Sequence, residues 1–372
     1  MNEARDIVGI SVPFAAGVAT GAAMYPLLSG RLPYIISSIL LILIFITTIL
    51  ARLDKFSGRW LVIAGIFLIT GIFSSLSHSI ASGIPEYESG FISSVAADAV
   101  GTLRSVIDNI PYPSESTAPL VKALLTGDKS DLTKEITGIF RDSGASHILA
   151  LSGLHLGVLY ILLARLTAPL GNSPWIRRLR YSLIIGAALF YSIMTGATPS
   201  IIRAFLFITI NETAKLLGRK REPVRVLLAA LTIQLAIRPD VITSVAFQLS
   251  YMAMAGIFLI FPTLDRIYPM PSCSKFSRFN PFRKIWSAAT LSISCQIFTG
   301  PLAWYYFHSF PKYFILTNLI ALPLTSAIMV LSVATIALSF FGICPEPLVI
   351  LNDHAMQALV FCLKIISGID ES

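Results

Sequence analysis

The sequence predicts an all-α fold: a polytopic helical membrane protein with about eleven spans, two of them broken, plus external amphipathic helices in the membrane interface. Three observations predict it. Of 372 residues, 55% are hydrophobic and only 13% charged, against roughly 25% charged in a soluble domain. Apolar runs recur at about 20 residues, which at about 1.5 Å per residue covers a hydrocarbon layer of roughly 30 Å. The loops between them alternate between rich and poor in Arg and Lys, as the positive-inside rule requires.

The first run, residues 7–28, holds Pro13 and Pro26. It lacks a basic leader and a small-residue cleavage site, so it reads as a retained span and not a signal peptide. Residues 32–50 and 60–80 are the second and third spans. Arg52, Lys55 and Arg59 between them place that loop, and the N-terminus, in the cytoplasm.

Residues 80–144 are the longest hydrophilic stretch, and the topology puts them outside. Phe91, Val95, Ala99, Leu103 and Ile107 recur at helical spacing between Gly90 and Pro111, opposite Ser94, Asp98, Thr102 and Ser105. Leu132, Ile136, Ile139 and Phe140 repeat the pattern after Asp131, read as an N-cap. Such helices either lie in the interface with their apolar side down or form a small helical domain packed on the bundle. Their polar faces are poor in Lys and Arg, which argues against a DNA landing strip.

Residues 147–166 form the fourth span, with Ser152, Gly153 and His155 near its middle. A hydroxyl and an imidazole at that depth are costly unless they face protein or water, so this is a working helix and not a tether. The fifth span, 181–195, turns at Gly196-Ala197-Thr198-Pro199 into a sixth that ends at Leu217. A seventh ends at Ile237 and turns at Arg238-Pro239-Asp240 into the eighth, 241–261. The ninth, 285–306, closes on Trp304, Tyr305 and Tyr306, an interfacial aromatic end. Residues 313–341 are too long for one straight span and contain Pro323, which predicts a broken or tilted tenth. Residues 348–366 are the eleventh, leaving the C-terminus outside.

Basic residues cluster in every second loop: Arg165, Arg177, Arg178 and Arg180; then Lys215, Arg219, Lys220, Arg221 and Arg225; then Arg266, Lys275, Arg278, Arg283 and Lys284. The chain therefore divides into a three-span region (1–80), an external amphipathic segment (81–118), a transmembrane domain (119–366) and a tail (367–372). The formal net charge of +8 follows from orientation and is not evidence for nucleic acid. Cys273, Cys295, Cys344 and Cys362 form no C-x-x-C pair, so no disulfide framework and no metal site is expected. Gln234, Gln296, Asp353 and His354 suit interhelical hydrogen bonds, and Glu212 suits a pair with Lys215.

His147-Ile-Leu-Ala-Leu-Ser-Gly-Leu-His-Leu-Gly resembles the signature of the ComEC-type competence family, inner-membrane channels that pass single-stranded DNA into bacteria during natural transformation. Four further segments resemble the family in the same order. They are Leu125-Thr126-Gly127-Asp128-Lys129, Thr198-Pro199-Ser200-Ile201-Ile202-Arg203-Ala204, Phe247-Gln248-Leu249-Ser250-Tyr251 and Asn318-Leu319-Ile320-Ala321-Leu322-Pro323-Leu324. The resemblance implies a non-enzymatic DNA channel without cofactor in the bacterial inner membrane. Its lining would be His147, Ser152, Gly153, His155, Ser200, Arg203, Gln248, Ser250, Asn318 and Pro323. Arg203 suits a polyanion because guanidinium binds phosphate bidentately. Breaks at Ser152-Gly153 and at Pro323 would expose helix N-termini, whose partial positive charge favours anions.

The partners implied are single-stranded DNA, the lipid bilayer and an external DNA receptor. A cytoplasmic ATP-driven translocase is also implied, since the chain has no G-x-x-x-x-G-K-[ST] loop. A homo-oligomer is compatible with the sequence. The OB-like domain and the metallo-β-lactamase-like domain with its H-x-H-x-D-H motif, both common in the family, have no counterpart in these residues. A separate nuclease would then supply strand degradation. Two other readings stay open. The same scaffold can carry another anionic or lipid-linked cargo. Ala150-Leu151-Ser152-Gly153 with His155 also resembles the G-x-S-G of intramembrane serine hydrolases, although Ala150 replaces the first Gly and both residues share one helix.

Overall fold

An apolar segment in lipid must satisfy each backbone N–H and C=O within itself, so the long hydrophobic runs become helices. The computed structural model describes residues 2–52, 59–82, 90–220, 222–268, 281–308 and 313–368. Lys55, Arg221, Cys273, Lys275, Arg278 and the tail after Gly368 lie outside these. The described elements are α1 (Asn2–Met24), α2 (Leu32–Arg52), α3 (Arg59–Ala81), α4 (Gly90–Asp108), α5 (Thr117–Thr126), α6 (Lys134–Asp142), α7 (Ser146–Leu149) and α8 (Gly153–Thr167). They continue with α9 (Pro174–Met194), α10 (Pro199–Leu216), α11 (Pro223–Ile237), α12 (Val245–Leu259), α13 (Phe261–Arg266), α14 (Pro281–Phe307), α15 (Phe314–Phe340) and α16 (Glu346–Gly368). No strand occurs among the described residues.

Each of the eleven predicted runs falls on a helix. Among the described residues, seven segments are long and apolar enough to cross a membrane: Ile7–Leu27, Leu32–Ile49, Trp60–Ala81, Gly153–Leu170, Val245–Arg266, Phe314–Phe340 and Glu346–Gly368. The protein is thus an all-α polytopic membrane protein. Of the other four, α11 is short, α9 opens on three arginines, α10 carries Arg203, Glu212 and Lys215, and α14 is diluted by Ser and Thr.

Two compact units form, Met1–Ser89 with Leu206–Tyr251, and Gly90–Phe205 with Met252–Ser372. In the first, α1 packs on α3 and α11. A Cβ on Gly17 would lie 2.0 Å from the Leu68 carbonyl oxygen, and one on Gly71 would lie 2.2 Å from that of Phe14. Small residues here let two backbones meet, the usual device where lipid offers no hydrophobic drive between helices. Phe14, Val18, Leu235, Val241 and Phe247 fill the centre. Tyr251 donates to Gln234 Oε1 at 2.9 Å and Thr232 to Ser11 Oγ at 2.8 Å, the interhelical bonding expected of Gln234. Glu212 pairs with Lys215, as expected.

The second unit has its core where α5, α6, α7, α15 and α16 meet, around Leu120, Leu124, Phe140, Ile148, Ala321, Ile328 and Met356. One carboxylate pins it. Asp353 of α16 is buried and accepts from the Ser114 N–H at 3.2 Å, from Ser114 Oγ at 2.8 Å and from Thr117 Oγ1. It thereby ties the turn before α5, and the first residue of α5, to another helix. Beside it, Asn352 Nδ2 donates to Ser332 Oγ at 3.1 Å.

Several expectations are corrected. The signature does not run as one span: α7 ends at Leu149 and α8 starts at Gly153, so Ser152, Gly153 and His155 sit at the entry of a span and not near its middle. The break foreseen at Pro323 is absent. α15 is helical throughout, since one lost N–H costs little where neighbouring helices hold the segment. The cap of α6 is Thr133, whose Oγ1 accepts from the Ile136 N–H, and not Asp131, which pairs with Lys122. α6 also packs its apolar side, led by fully buried Phe140, into the protein core. Ile107 at the end of α4 does the same. For these residues the packed helical domain is the arrangement formed.

Candidate functional site

The residues from Ala150 to Ser152 are not helical. Ser152 takes an extended conformation (φ −131°, ψ 168°) and caps α8. Its Oγ accepts from the Leu154 N–H at 3.3 Å, while its own backbone N–H donates to His155 Nδ1 at 3.2 Å. This is a capping box with histidine in place of the usual Glu or Gln. The Ser152 hydroxyl lies 3.1 Å from the same Nδ1. A neutral imidazole has one acceptor lone pair, and a backbone N–H with no other partner at hand claims it. The Ser152–His155 pair is therefore a helix start first, and a poor nucleophile–base couple.

The consequence lies on the far side of the ring. With Nδ1 accepting, the proton of neutral His155 sits on Nε2. His155 is 1% exposed, and Nε2 has no partner among the described groups. A buried orphan donor costs about 1–3 kcal/mol. The fold bears that cost at the mouth of a span.

The next segment in the family order faces this helix start. Pro199 opens α10, Thr198 accepts from the N–H groups of Ile201 at 3.0 Å and Ile202 at 2.9 Å, and Arg203 follows one turn in. Arg203 is 9% exposed, so it does not snorkel to the surface. Its guanidinium lies against Gly153. A Cβ on that glycine would sit 2.6 Å from Nη2 and 3.3 Å from the Ala204 Cβ. Gly153 thus provides the space in which an arginine approaches the backbone of a helix N-terminus. Thr198 Oγ1, at the start of α10, is a second buried polar atom without a partner among the described groups. Ala197 before it holds φ 48°, a conformation that costs a non-glycine residue about 1–2 kcal/mol.

The Leu125–Lys129 turn buttresses the break from the other side. Gly127 ends α5 at φ 78°, and a Cβ there would lie 2.5 Å from Leu151 Cδ1. Tyr191 of α9 donates to the Leu125 carbonyl at 3.0 Å. Arg104 pairs with Asp128 at 3.0 Å, and Lys122 with Asp108 at 2.6 Å and Asp131 at 2.7 Å. Asp128, whose carboxyl the Ser130 N–H and hydroxyl and the Arg104 charge hold below the usual range, anchors the turn to α4.

Segments 125–129, 147–157 and 198–204 thus meet. The fifth, at the start of α15, packs in the same core through Ala321, and Thr317 donates to the Ser143 carbonyl at 2.7 Å just ahead of α7. Asn318 Oδ1 is buried without a partner among the described groups, and Pro323 is exposed on α15. His147 is exposed on α7, its Nδ1 3.1 Å from the Gly144 carbonyl. Ser200 is half-buried in the first turn of α10. The fourth segment belongs to the other unit. There Gln248 donates to the Ile242 carbonyl at 2.8 Å, and half-buried Ser250 follows on α12. Among the described residues no cluster of His, Cys, Asp and Glu could hold a metal. The interhelical bonding expected of Asp353 forms, whereas no role was expected of the Thr198 hydroxyl or of Tyr191, because Thr and Tyr in apolar runs are common and only their tertiary neighbours single them out.

The profile of the family described as Competence protein matches residues 124–372, which contain all five segments. The chain belongs to the competence protein family. Members similar to it include the Escherichia coli K12 protein described as Uncharacterized protein YcaI, 28% identical over 73% of this chain and 35% of the relative. ComE operon protein 3 of Bacillus subtilis is 26% identical over 58% of this chain and 25% of its own length. Recombination protein 2 of Haemophilus influenzae is 26% identical over 57% and 27%. The chain therefore spans about a third or less of the family relatives it matches. No solved structure matches it.

Proposed function

We propose that this protein is a DNA-uptake component of the bacterial inner membrane, a channel that passes single-stranded DNA to the cytoplasm during natural transformation. Its N-terminus is cytoplasmic and its C-terminus external on this reading, and it moves its cargo without transforming it. The observation that carries the proposal is the seat of Arg203 on Gly153, where a guanidinium and the partial positive charge of a helix N-terminus converge at the mouth of a span. A polyanion entering a low-dielectric region needs such a place. Membership of the competence family supports the reading, as do the relatives named ComE operon protein 3 and Recombination protein 2.

Inward movement of a strand works against an inside-negative potential, at about 2.3 kcal/mol per elementary charge per 100 mV. The channel needs an ATP-driven translocase on the cytoplasmic side, with a DNA receptor outside and a nuclease on a separate chain or domain. The second reading, a transporter of another anionic or lipid-linked cargo, draws on the same guanidinium and helix start, which favour any oxyanion. Deletion of the gene separates the two. Labelled DNA should fail to reach the cytoplasm while growth and envelope integrity remain normal; an envelope defect with normal uptake favours the other cargo.

A further inference from the structure

We infer that α4 and α5 form a re-entrant hairpin: its tip, residues 109–116, lies past the middle of the membrane, and its charged side lines a water-filled vestibule. Hydropathy places this stretch outside, but its hydrogen bonds set a depth. Asn352 of α16 donates to Ser332 of α15 at 3.1 Å. Each lies five residues from the middle of its own helix, Phe314–Phe340 or Glu346–Gly368, toward the short connection between them, which is about 7.5 Å. Two antiparallel helices, each long and apolar enough to span, thus agree on one level. The tip is bonded there. Asn352 Nδ2 donates to Tyr112 Oη at 3.4 Å, Asp353 accepts from Ser114 and Thr117, and Gln357 at the middle of α16 donates to Ser116 Oγ at 3.2 Å. Near the opposite ends of the same two helices, Lys364 pairs with Glu135 and Thr317 donates to the Ser143 carbonyl. From Asp353 to Lys364 is about 16 Å along α16, and the chain from Ser114 to α6 climbs that distance inside the bilayer.

One side of the hairpin is apolar and buried, with Ile107, Ile110, Leu120 and Leu124. The other is exposed and carries Asp108, Asn109, Glu115 and Asp131. Lys122 answers Asp108 at 2.6 Å and Asp131 at 2.7 Å, so the trio keeps one net negative charge, and both carboxylates are about half exposed. Carboxylates turned to lipid at this depth are costly, whereas water relieves them. The non-helical backbone of the tip obeys the same limit, tolerated at depth only within protein or beside a wet cavity. Exposed Lys134 and Glu135 continue the charged side to the level of Lys364, so the vestibule opens on that face. Cargo entering there meets water past the middle of the bilayer, which leaves the dry part of its path on the opposite side. Calling that face external rests on the DNA-uptake reading; the depth and the water do not.

The test uses the full chain in oriented vesicles, with the native cysteines replaced by alanine except where named, and an impermeant maleimide. Cys344 is exposed just before α16. Restored alone it should label from one face and Gly368→Cys from the other, which establishes that α16 spans. Ser116→Cys with Gln357→Cys leaves the Asp353 clamp intact, and a short bifunctional thiosulfonate should join the pair. Photocrosslinking to α16 from p-benzoylphenylalanine in place of Ser116, in the otherwise native chain, reads the same contact a second time. Glu115→Cys should be modified completely from the Gly368 face, while Phe45→Cys, exposed on apolar α2, should not be modified from either. Cys344 and Gly368→Cys labelled from one face, no link between positions 116 and 357 by either route, or Glu115→Cys unmodified from the Gly368 face each overturns the vestibule. The DNA reading fails separately. A wet hairpin in a protein whose deletion leaves DNA uptake intact upholds the vestibule and removes that reading. A dry tip in a protein essential for uptake does the reverse.

Discussion

Gly153 and Arg203 are 50 positions apart, yet the glycine has no Cβ because one would stand 2.6 Å from the arginine Nη2. The atom in the way is the far end of a flexible side chain, so the helix can accept alanine while the guanidinium gives way. Gly153→Ala should therefore fold and reach the membrane in normal amount, but lower DNA uptake by about tenfold or more, the scale of one lost charge-assisted contact. Gly157→Ala, four residues on with open space around it, is the control. It should leave uptake unchanged and stabilise α8 by up to about 1 kcal/mol. Quantitative transformation assays normalised to membrane abundance check both.

Gly127 against Leu151 is a different case, since the glycine is also left-handed at φ 78°. Gly127→Ala combines backbone strain with a clash, and should lower stability by about 2–4 kcal/mol. Adding Leu151→Ala should restore the part owed to the clash and leave about 1–2 kcal/mol of strain. Thermal unfolding of the four proteins of that cycle gives the partition.

Asp353→Ala should be among the most damaging single changes in the second unit. It strands the Ser114 N–H, Ser114 Oγ and Thr117 Oγ1, at about 1–3 kcal/mol for each donor left dry. Asp353→Asn keeps an acceptor and should cost less. Unfolding in detergent that leaves both variants normally stable would remove the clamp from the account.

The ion pairs around the Leu125–Lys129 turn predict an acid-sensitive step. The Asp128 carboxyl titrates below its usual value, first through the Ser130 N–H and then through Arg104. Its contribution is complete above the unfolded value of about 3.9 and is lost as pH falls through the lower folded value. Lys122 is raised by Asp108 and Asp131. Its contribution is complete below about 10.4 and is lost as pH rises through the higher folded value. Melting temperature should be flat around neutral pH and fall at both extremes, with the acid fall reduced in Asp128→Asn.

Ser152 should not react with a fluorophosphonate probe. Its hydroxyl accepts from the Leu154 N–H, and the neighbouring imidazole nitrogen is engaged by a backbone N–H. Activity-based labelling followed by mass spectrometry checks this, and a labelled Ser152 would reopen the hydrolase reading. Ser152→Ala should instead cost about 1 kcal/mol of α8 stability, as loss of an N-cap does.

Much of this protein was legible without a structure. A run of apolar residues in a bilayer has one way to satisfy its backbone, so the helices and the membrane class follow from local composition. The five ordered segments pointed to the family for the same reason: they are words in the chain. Their grouping is not local. That Gly127 meets Leu151, that Gly153 receives Arg203, and that Asp353 anchors the turn before α5 from 239 positions away depend on which helix faces pair, and apolar faces in lipid carry little preference among partners. The same limit explains why one of the two expected breaks formed and the other did not. Pro323 looks like a helix breaker in isolation, but neighbouring helices hold α15 through it. The real interruption, at residues 150–152, is marked by a Ser–His capping box. The sequence determined which residues are helical, the local Ser152–His155 cap and which family they serve; packing alone decided that a guanidinium 50 positions on ends up at that helix start.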